Sequence, residues 1–409
     1  MRWLPDGSIM VVMTGSRLGE YAETVSVAAC LVGGDEVPEQ VSLALATVPR
    51  HRFLERFYFV AFEEFLAGSP FQEYVIDPGT SDEEVLDIVY SDEALVTRLD
   101  DGGRPSSSTS QPSLMAGMLG LLDLGVGMRV LEIGAGTGYN AALIAELVGD
   151  PGLVTTIDIQ PDVVGQTRRL LDLSGYGDIH LLCRDGASGA PEHAPFDRVV
   201  ATVGCPDISW HWVDQLVPEG VMLIPLQHGG PTADPLVCLR RIDSGHLQGR
   251  VVAWSGFMPM QGDLAGFLWP AAVGDDAGEP DAQFELPEAL TEATLTLDSF
   301  RAGKRAWWDF AYFLALEDSR AHFGRVLALI DPSGDRVVVG DDGVRLWGDA
   351  GLYQDLVAAY HRWETLDRPR LGDWQIRLVP RTEPPPPHDP QHTWVVARPV
   401  SWQIAQLTD

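Results

Sequence analysis

The segment Val130-Leu-Glu-Ile-Gly-Ala-Gly-Thr-Gly138 constrains this chain more than any other. Its first four residues read as a buried strand, the glycines as a tight turn, and Tyr139 to Val148 as the helix that follows. In such a unit glycine lets the backbone approach a ligand where the strand ends. The spacing is G-x-G-x-G rather than the G-x-G-x-x-G of a dinucleotide fingerprint, and the acidic Glu132 stands at the strand's end. A carboxylate beside the turn would repel a pyrophosphate, whereas it suits a sulfonium and an amino group. The expected ligand is therefore S-adenosyl-L-methionine (SAM), held by Glu132, Gly134, Gly136 and Gly138.

The downstream spacing points the same way. Val154-Thr-Thr-Ile-Asp158 is a second apolar strand ending in a carboxylate, placed to accept both hydroxyls of a ribose. His180-Leu-Leu-Cys-Arg-Asp185-Gly186 is a third, and its Asp185-Gly186 end suits an adenine amino group. Phe196 to Thr202 and Gly220 to Pro225 supply a fourth and a fifth. Strands alternating with helices such as Pro161 to Leu173 predict an α/β class, a doubly wound Rossmann-like sheet.

Composition limits what surrounds this sheet. A chain of 409 residues with 45% apolar content can build two or three conventional cores. A net charge of -31 argues against unaided binding to nucleic acid or to an anionic membrane, both of which reward clustered Lys and Arg. Cys30, Cys183, Cys205 and Cys238 show no C-x-x-C pairing, which suits buried free thiols in a reducing compartment. His180, His193, His211 and His228 fall at no metal-ligand spacing, so no metal is expected. The start, Met1-Arg-Trp-Leu-Pro5, lacks the apolar core of a signal peptide, and no apolar run reaches membrane-spanning length. The expectation is a cytoplasmic protein of undetermined oligomeric state.

Four regions are expected along the chain. Residues 1–106 form an N-terminal cap, with a short strand at Ser8 to Met13 and helical segments that include the aromatic-rich stretch Phe53 to Phe65. Residues 107–262 carry the SAM-binding core, residues 263–287 a linker rich in Gly, Asp, Ala and Pro, and residues 288–409 an accessory α/β domain. In that last domain strands are expected near Leu295, at Phe313 to Leu316, Val326 to Ile330, Arg336 to Val339, Val344 to Trp347, Trp374 to Val379 and Trp394 to Val396. A helix is expected at Leu352 to Thr365. Trp307-Trp308 and Tyr312-Phe313 read as core aromatics or as a grip for an extended peptide. Asp275, Asp276, Glu279 and Asp281 read as solvated surface or as an acidic flap over a cationic partner.

Several of these segments together resemble the protein-L-isoaspartate (D-aspartate) O-methyltransferases. Leu43 to Phe53 is similar to the family's A-L-x-x-V-P-R-x-x-F segment, and Ser110-Gln111-Pro112 matches the end of its T-I-S-[AQ]-P signature. Val130 to Gly138 follows its V-L-E-I-G-x-G-x-G, Asp185-Gly186 its D-G, Gln215 to Gly220 its Q-L-x-P-G-G, and Ser255 to Met260 its closing F-V-P-L. The likeness runs from about residue 41 to 262. The signature Thr and Ile are Ser108 and Thr109 here, and an acidic stretch of roughly twenty residues, Leu66 to Val85, has no family counterpart. Ordinary repair enzymes of the family end near the equivalent of residue 262, and this chain continues to residue 409.

The resemblance implies a class I SAM-dependent methyltransferase sheet acting on a carboxylate. It places Ser110 where the family's signature serine orients the substrate carboxylate, with Ser108 and Thr109 beside it and Ser107 at the cofactor side. A helix-capping role for Ser110 ahead of Pro112 to Leu122 is the alternative or additional reading. Extended relatives are associated with ribosomally made peptide natural products such as graspetides and lanthipeptides. There an Asp is methylated and cyclises to aspartimide or rearranges to isoAsp. The long C-terminal region favours such a dedicated partner, a cyclised precursor peptide, over general isoaspartyl repair. A SAM-binding regulator without catalysis is the reading from outside the enzyme class.

Overall fold

The computed structural model describes residues 2–3, 9–10, 17–33, 36–60, 69–76, 82–229, 234–242, 245–266, 279–285, 306–323, 326–340, 343–387, 389 and 391–408. The chain forms two compact units. One comprises Met1–Thr202 and Gln215–Leu223, the other Val203–Asp214 and Ile224–Asp409. The expected boundaries therefore do not coincide with the observed ones. The cap and the first four core strands share a unit, whereas residues 234–255 cluster with the C-terminal region.

In the first unit five parallel strands stand in the order Leu216–Pro225, Phe196–Ala201, Val130–Ile133, Val154–Asp158, His180–Cys183. Val130–Ile133 is buried along its whole length, as befits a strand covered on both faces. The chain steps outward from it through Val154–Asp158 to His180–Cys183, then returns to its other side. That reversal makes the carboxyl end of Val130–Ile133 the switch point at which open α/β sheets bind ligands. The helices Pro112–Leu122, Tyr139–Val148 and Pro161–Leu173 form where the periodicity placed them.

The N-terminal part differs from expectation. Within the aromatic stretch the described residues 53–60 are not α-helical: after a 3-10 turn at Arg50–Phe53 the chain enters the strand Arg56–Phe59, and residues 61–65 lie outside the described residues. This strand belongs to a four-stranded sheet ordered Gln72–Val75, Arg56–Phe59, Leu95–Leu99, Pro105–Thr109. Phe57 packs with Leu54, Ile76, Val89 and Leu95, so aromatic residues at alternate positions form a strand face and not a helical stripe. The acidic insertion contributes the strand Gln72–Val75, and only Ile9–Met10 of the expected first strand lies among the described residues as strand. Ser107, Ser108 and Thr109 thus belong to this sheet, although the expected boundary placed them in the core.

The second unit holds antiparallel strands in the order Thr393–Ala397, Ser401–Leu407, Trp374–Pro380, Leu247–Ser255, Asp234–Arg241. A further antiparallel sheet runs Ala282–Phe284, Gly343–Trp347, Arg336–Gly340, Leu327–Ile330, Ala321–Phe323. Part of the expected linker is therefore a paired strand. Phe313 to Leu316, expected as a strand, lies in the helix Ala306–Glu317. That helix is apolar almost all round, so its sequence lacks the one-sided pattern that marks a surface helix. Trp307, Tyr312 and Phe313 are buried, which settles them as core. Asp207 accepts from the backbone N–H of Val400 and Ser401, and Arg398 donates to Pro206 O, which ties the segment Val203–Asp214 into this unit. Leu295, Asp275 and Asp276 lie outside the described residues. No helix among the described residues is long and apolar enough to cross a membrane.

Candidate functional site

Gly134, Gly136 and Gly138 all carry positive φ, at 101°, 51° and 84°. Side chains with a Cβ rarely adopt that backbone, so three alternate glycines let the turn wind tightly over the strand end. A Cβ on Gly136 would lie 3.0 Å from Ser108 O, and one on Gly138 would lie 3.0 Å from Thr167 Cγ2. The turn is thus wedged between the serine strand and the helix Pro161–Leu173.

The second strand end closes on the turn. Asp158 Oδ2 accepts from Gly136 N at 3.2 Å and Oδ1 from Gln160 N at 3.0 Å. Burial raises the Asp158 pKa, opposed by the backbone N–H donors of Gln160 and Gly136. Its carboxylate is half-buried at the strand end, beside the glycine turn. Asp185 caps the 3-10 turn Gly186–Ser188 by accepting from Ala187 N at 2.8 Å, with Gly186 buried beneath.

Glu132 occupies a different place from the one expected. It has no exposed surface. Asn140 Nδ2 donates to Oε1 at 2.7 Å and Thr156 Oγ1 to Oε2 at 2.6 Å. Burial pushes its pKa up to about 7, against the pull of those two hydrogen bonds. Glu132 therefore braces the glycine turn from beneath, joining two strands and the following helix, and offers no free face to a ligand.

The strand Pro105–Thr109 divides the expected row of hydroxyls. Ser107 and Thr109 are buried, with Thr97 Oγ1 donating to Ser107 Oγ at 3.3 Å, while Ser108 and Ser110 are half-buried. Alternation along a strand accounts for the split. Ser110 does not cap the helix: Gln111 occupies the N-cap position and makes no side-chain capping bond. Asp92 does that work, accepting from Ser113 N at 2.8 Å and from Gln111 Nε2 at 3.1 Å. The Ser110 hydroxyl is thus not consumed by the helix.

These residues fit SAM. The turn offers backbone N–H groups, and Asp158 and Asp185 stand at the next two strand ends as carboxylate acceptors, which suit the hydroxyls of a ribose and an amino group. Asn140, Thr156, Asp92 and Arg50 were not foreseen. Asn140 stands out only as the polar residue in an otherwise apolar helix start, and Arg50 had no signal beyond its place in Val48-Pro-Arg-His-Arg52. Of the cysteines, Cys183 is exposed, contrary to expectation, while Cys205 is buried and its thiol pKa is raised by that burial.

A family model described as protein-L-isoaspartate(D-aspartate) O-methyltransferase matches residues 80–265. The protein-L-isoaspartate O-methyltransferase of Methanococcoides burtonii is 34% identical over 180 residues, 44% of this chain and 84% of that protein. The one from Thermotoga maritima is 34% identical over 183 residues, 45% of this chain and 57% of that protein. A solved protein-L-isoaspartate O-methyltransferase superposes with a TM-score of 0.51 at 22% identity, covering 88% of this chain and 96% of its own. That coverage cannot be confined to residues 41–262, so a similar fold continues beyond the point where the sequence comparison expected the family to end.

Proposed function

The chain belongs to the protein-L-isoaspartate (D-aspartate) O-methyltransferase family and is a SAM-dependent carboxyl methyltransferase, and we propose that it methylates an Asp or isoAsp side chain of one cyclised, ribosomally made peptide. The observation that carries this reading is the division of labour in the chain. Every residue expected at the cofactor or at the reacting carboxylate lies in the first unit, and Val203–Asp214 with Ile224–Asp409 forms a body of its own. Such a body is free to recognise a partner.

A substrate carboxylate is ionised at neutral pH and needs no strong base to act as the nucleophile. When bound, SAM supplies a methyl group activated by a sulfonium. The protein's task is alignment, which can account for several orders of magnitude in rate. Glu132 and the glycine turn fix the cofactor's bed, Asp158 its ribose and Asp185 its base. Ser110, half-buried at the end of the strand whose Ser108 O approaches the turn, donates a hydrogen bond that orients the carboxylate oxygen. Attack on the resulting ester by the next residue's backbone nitrogen forms the succinimide ring and releases methanol. Water then opens the ring to Asp or isoAsp.

General isoaspartyl repair is the second reading, and a specific observation favours it. The solved relative named for isoaspartate methylation is covered over 96% of its length at the level of fold, so the second unit alone does not require a dedicated partner. Methyl transfer by the full-length protein decides between the two. The substrates are a panel of unrelated isoaspartyl peptides, and linear and cyclised forms of any precursor peptide encoded beside the gene. Preference for the cyclised peptide by a hundredfold or more supports the dedicated reading. Comparable rates on the unrelated peptides return it to repair.

A further inference from the structure

Arg50 has no exposed surface, yet its guanidinium carries five N–H donors that need acceptors. Among the described residues its acceptors are all main-chain carbonyls. Nη1 donates to Val89 O at 2.9 Å and Ser91 O at 3.3 Å. Nη2 donates to Glu93 O at 2.8 Å, Ser110 O at 3.1 Å and Thr109 O at 3.5 Å. The remaining donor, Nε, has no hydrogen-bond partner among the described residues. The planar fork therefore joins two stretches of main chain, 89–93 and 109–110, that are far apart in sequence.

Asp92, within the first stretch, holds the other end of the second through Gln111 Nε2 and Ser113 N. Ser110 sits between these two anchors with its carbonyl fixed and its hydroxyl left to face a substrate. We propose that Arg50 is a positioning residue for methyl transfer: it sets the placement of Ser110 from within the core and touches neither substrate nor cofactor. This rests on the role given above to Ser110. It differs from a merely structural role, because its effect on the reaction passes through a single hydroxyl.

A double-mutant cycle in the full-length protein reads that coupling. Wild type, Ser110→Ala, Arg50→Lys and the double variant are assayed at saturating SAM for methyl transfer to the peptide of the above panel that the wild type methylates fastest, and for SAM affinity by calorimetry. Lysine keeps the charge but gathers its donors on one nitrogen, too compact to span both stretches. Arg50→Lys is expected to lower kcat roughly tenfold with SAM affinity nearly unchanged, and to add almost nothing in the Ser110→Ala background. Wild-type kcat in Arg50→Lys, or an equal loss in both backgrounds, overturns the proposal. A silent Ser110→Ala removes the role of Ser110 itself, and this inference with it. If Arg50→Lys does not fold, Asp92→Ala releases the other anchor and must show the same dependence on Ser110.

Discussion

Thr156 Oγ1 donates to Glu132 Oε2 at 2.6 Å, so a carboxyl with no solvent exposure is held between two neighbouring strands directly beneath the glycine turn. Burial is the main reason its pKa stands at about 7, with Asn140 and Thr156 pulling the other way. The folded state therefore binds this proton more tightly than the unfolded chain does. Stability from this group is complete below the ordinary Glu range and is lost as pH rises through about 7.

The first prediction follows from that sign. Between pH 4.5 and pH 8 ionisation of Glu132 should remove about 3 kcal/mol of stability, at 1.36 kcal/mol per pKa unit. Glu132→Gln keeps the shape and cannot ionise, so its urea midpoint should fall less over the same range. Parallel pH profiles for the two proteins would show that Glu132 is not the titrating group.

Asp158 is the carboxylate that meets the turn, through Gly136 N. Asp158→Ala should weaken SAM binding by roughly 1.5–3 kcal/mol for each charge-assisted hydrogen bond lost. Calorimetry on the folded variant checks this, and unchanged affinity would remove Asp158 from the cofactor site.

Because Gln111 and not Ser110 holds the N-cap position, Ser110→Ala should leave stability within about 0.5 kcal/mol of wild type. Methyl transfer should nevertheless fall about tenfold, or 1.4 kcal/mol, with SAM affinity nearly intact. The pair of measurements is informative because a capping serine would show the reverse pattern, a stability loss with turnover preserved.

Gly136 tests the close approach of the serine strand to the turn. Alanine there must take a φ of 51°, at a cost of roughly 1–2 kcal/mol, and its Cβ meets Ser108 O at 3.0 Å. Gly136→Ala should lower both thermal stability and SAM affinity. A variant equal to wild type in both would mean that the turn is not held against Ser108.

The parallel sheet was legible because each strand is short, apolar and followed by glycine or a carboxylate, so local pattern and fold agree from Val130 to Cys183. The strand-end placement of Asp158 beside the glycine turn was legible too, since it follows from one short apolar strand ending in a carboxylate. The site was not legible where tertiary burial decides the role. Glu132 looked like a ligand and proved to be a brace, since its partner Thr156 is its register neighbour on the next strand. Arg50 gave no sign of burial, because the acceptors that hold it are main-chain carbonyls, which every sequence has. Phe53 to Phe59 misled for a similar reason: aromatic residues pack on either element, and what selects the strand is pairing with Gln72–Val75 and Leu95–Leu99.

The pairing in the second unit bears on any attempt to isolate the cofactor site by cutting the chain. The strand Leu247–Ser255 pairs on one side with Asp234–Arg241 and on the other with Trp374–Pro380, through registers such as Gln248 with Arg377. Ending the chain at Gly262 removes the second partner, which pairs with Leu247 to Arg250, and Leu247 is buried in the intact protein. The cut leaves a hydrophobic edge whose unpaired N–H and C=O groups template association. The Val203–Asp214 segment loses its tie as well, since Asp207 is held by Val400 and Ser401. The truncated chain should therefore aggregate or unfold without a cooperative transition, although it retains every cofactor residue. Light scattering and a denaturation curve check this. A monodisperse fragment that binds SAM with full-length affinity would show that residues 203–262 fold without the strands that follow, and would allow substrate recognition to be assigned by truncation after all.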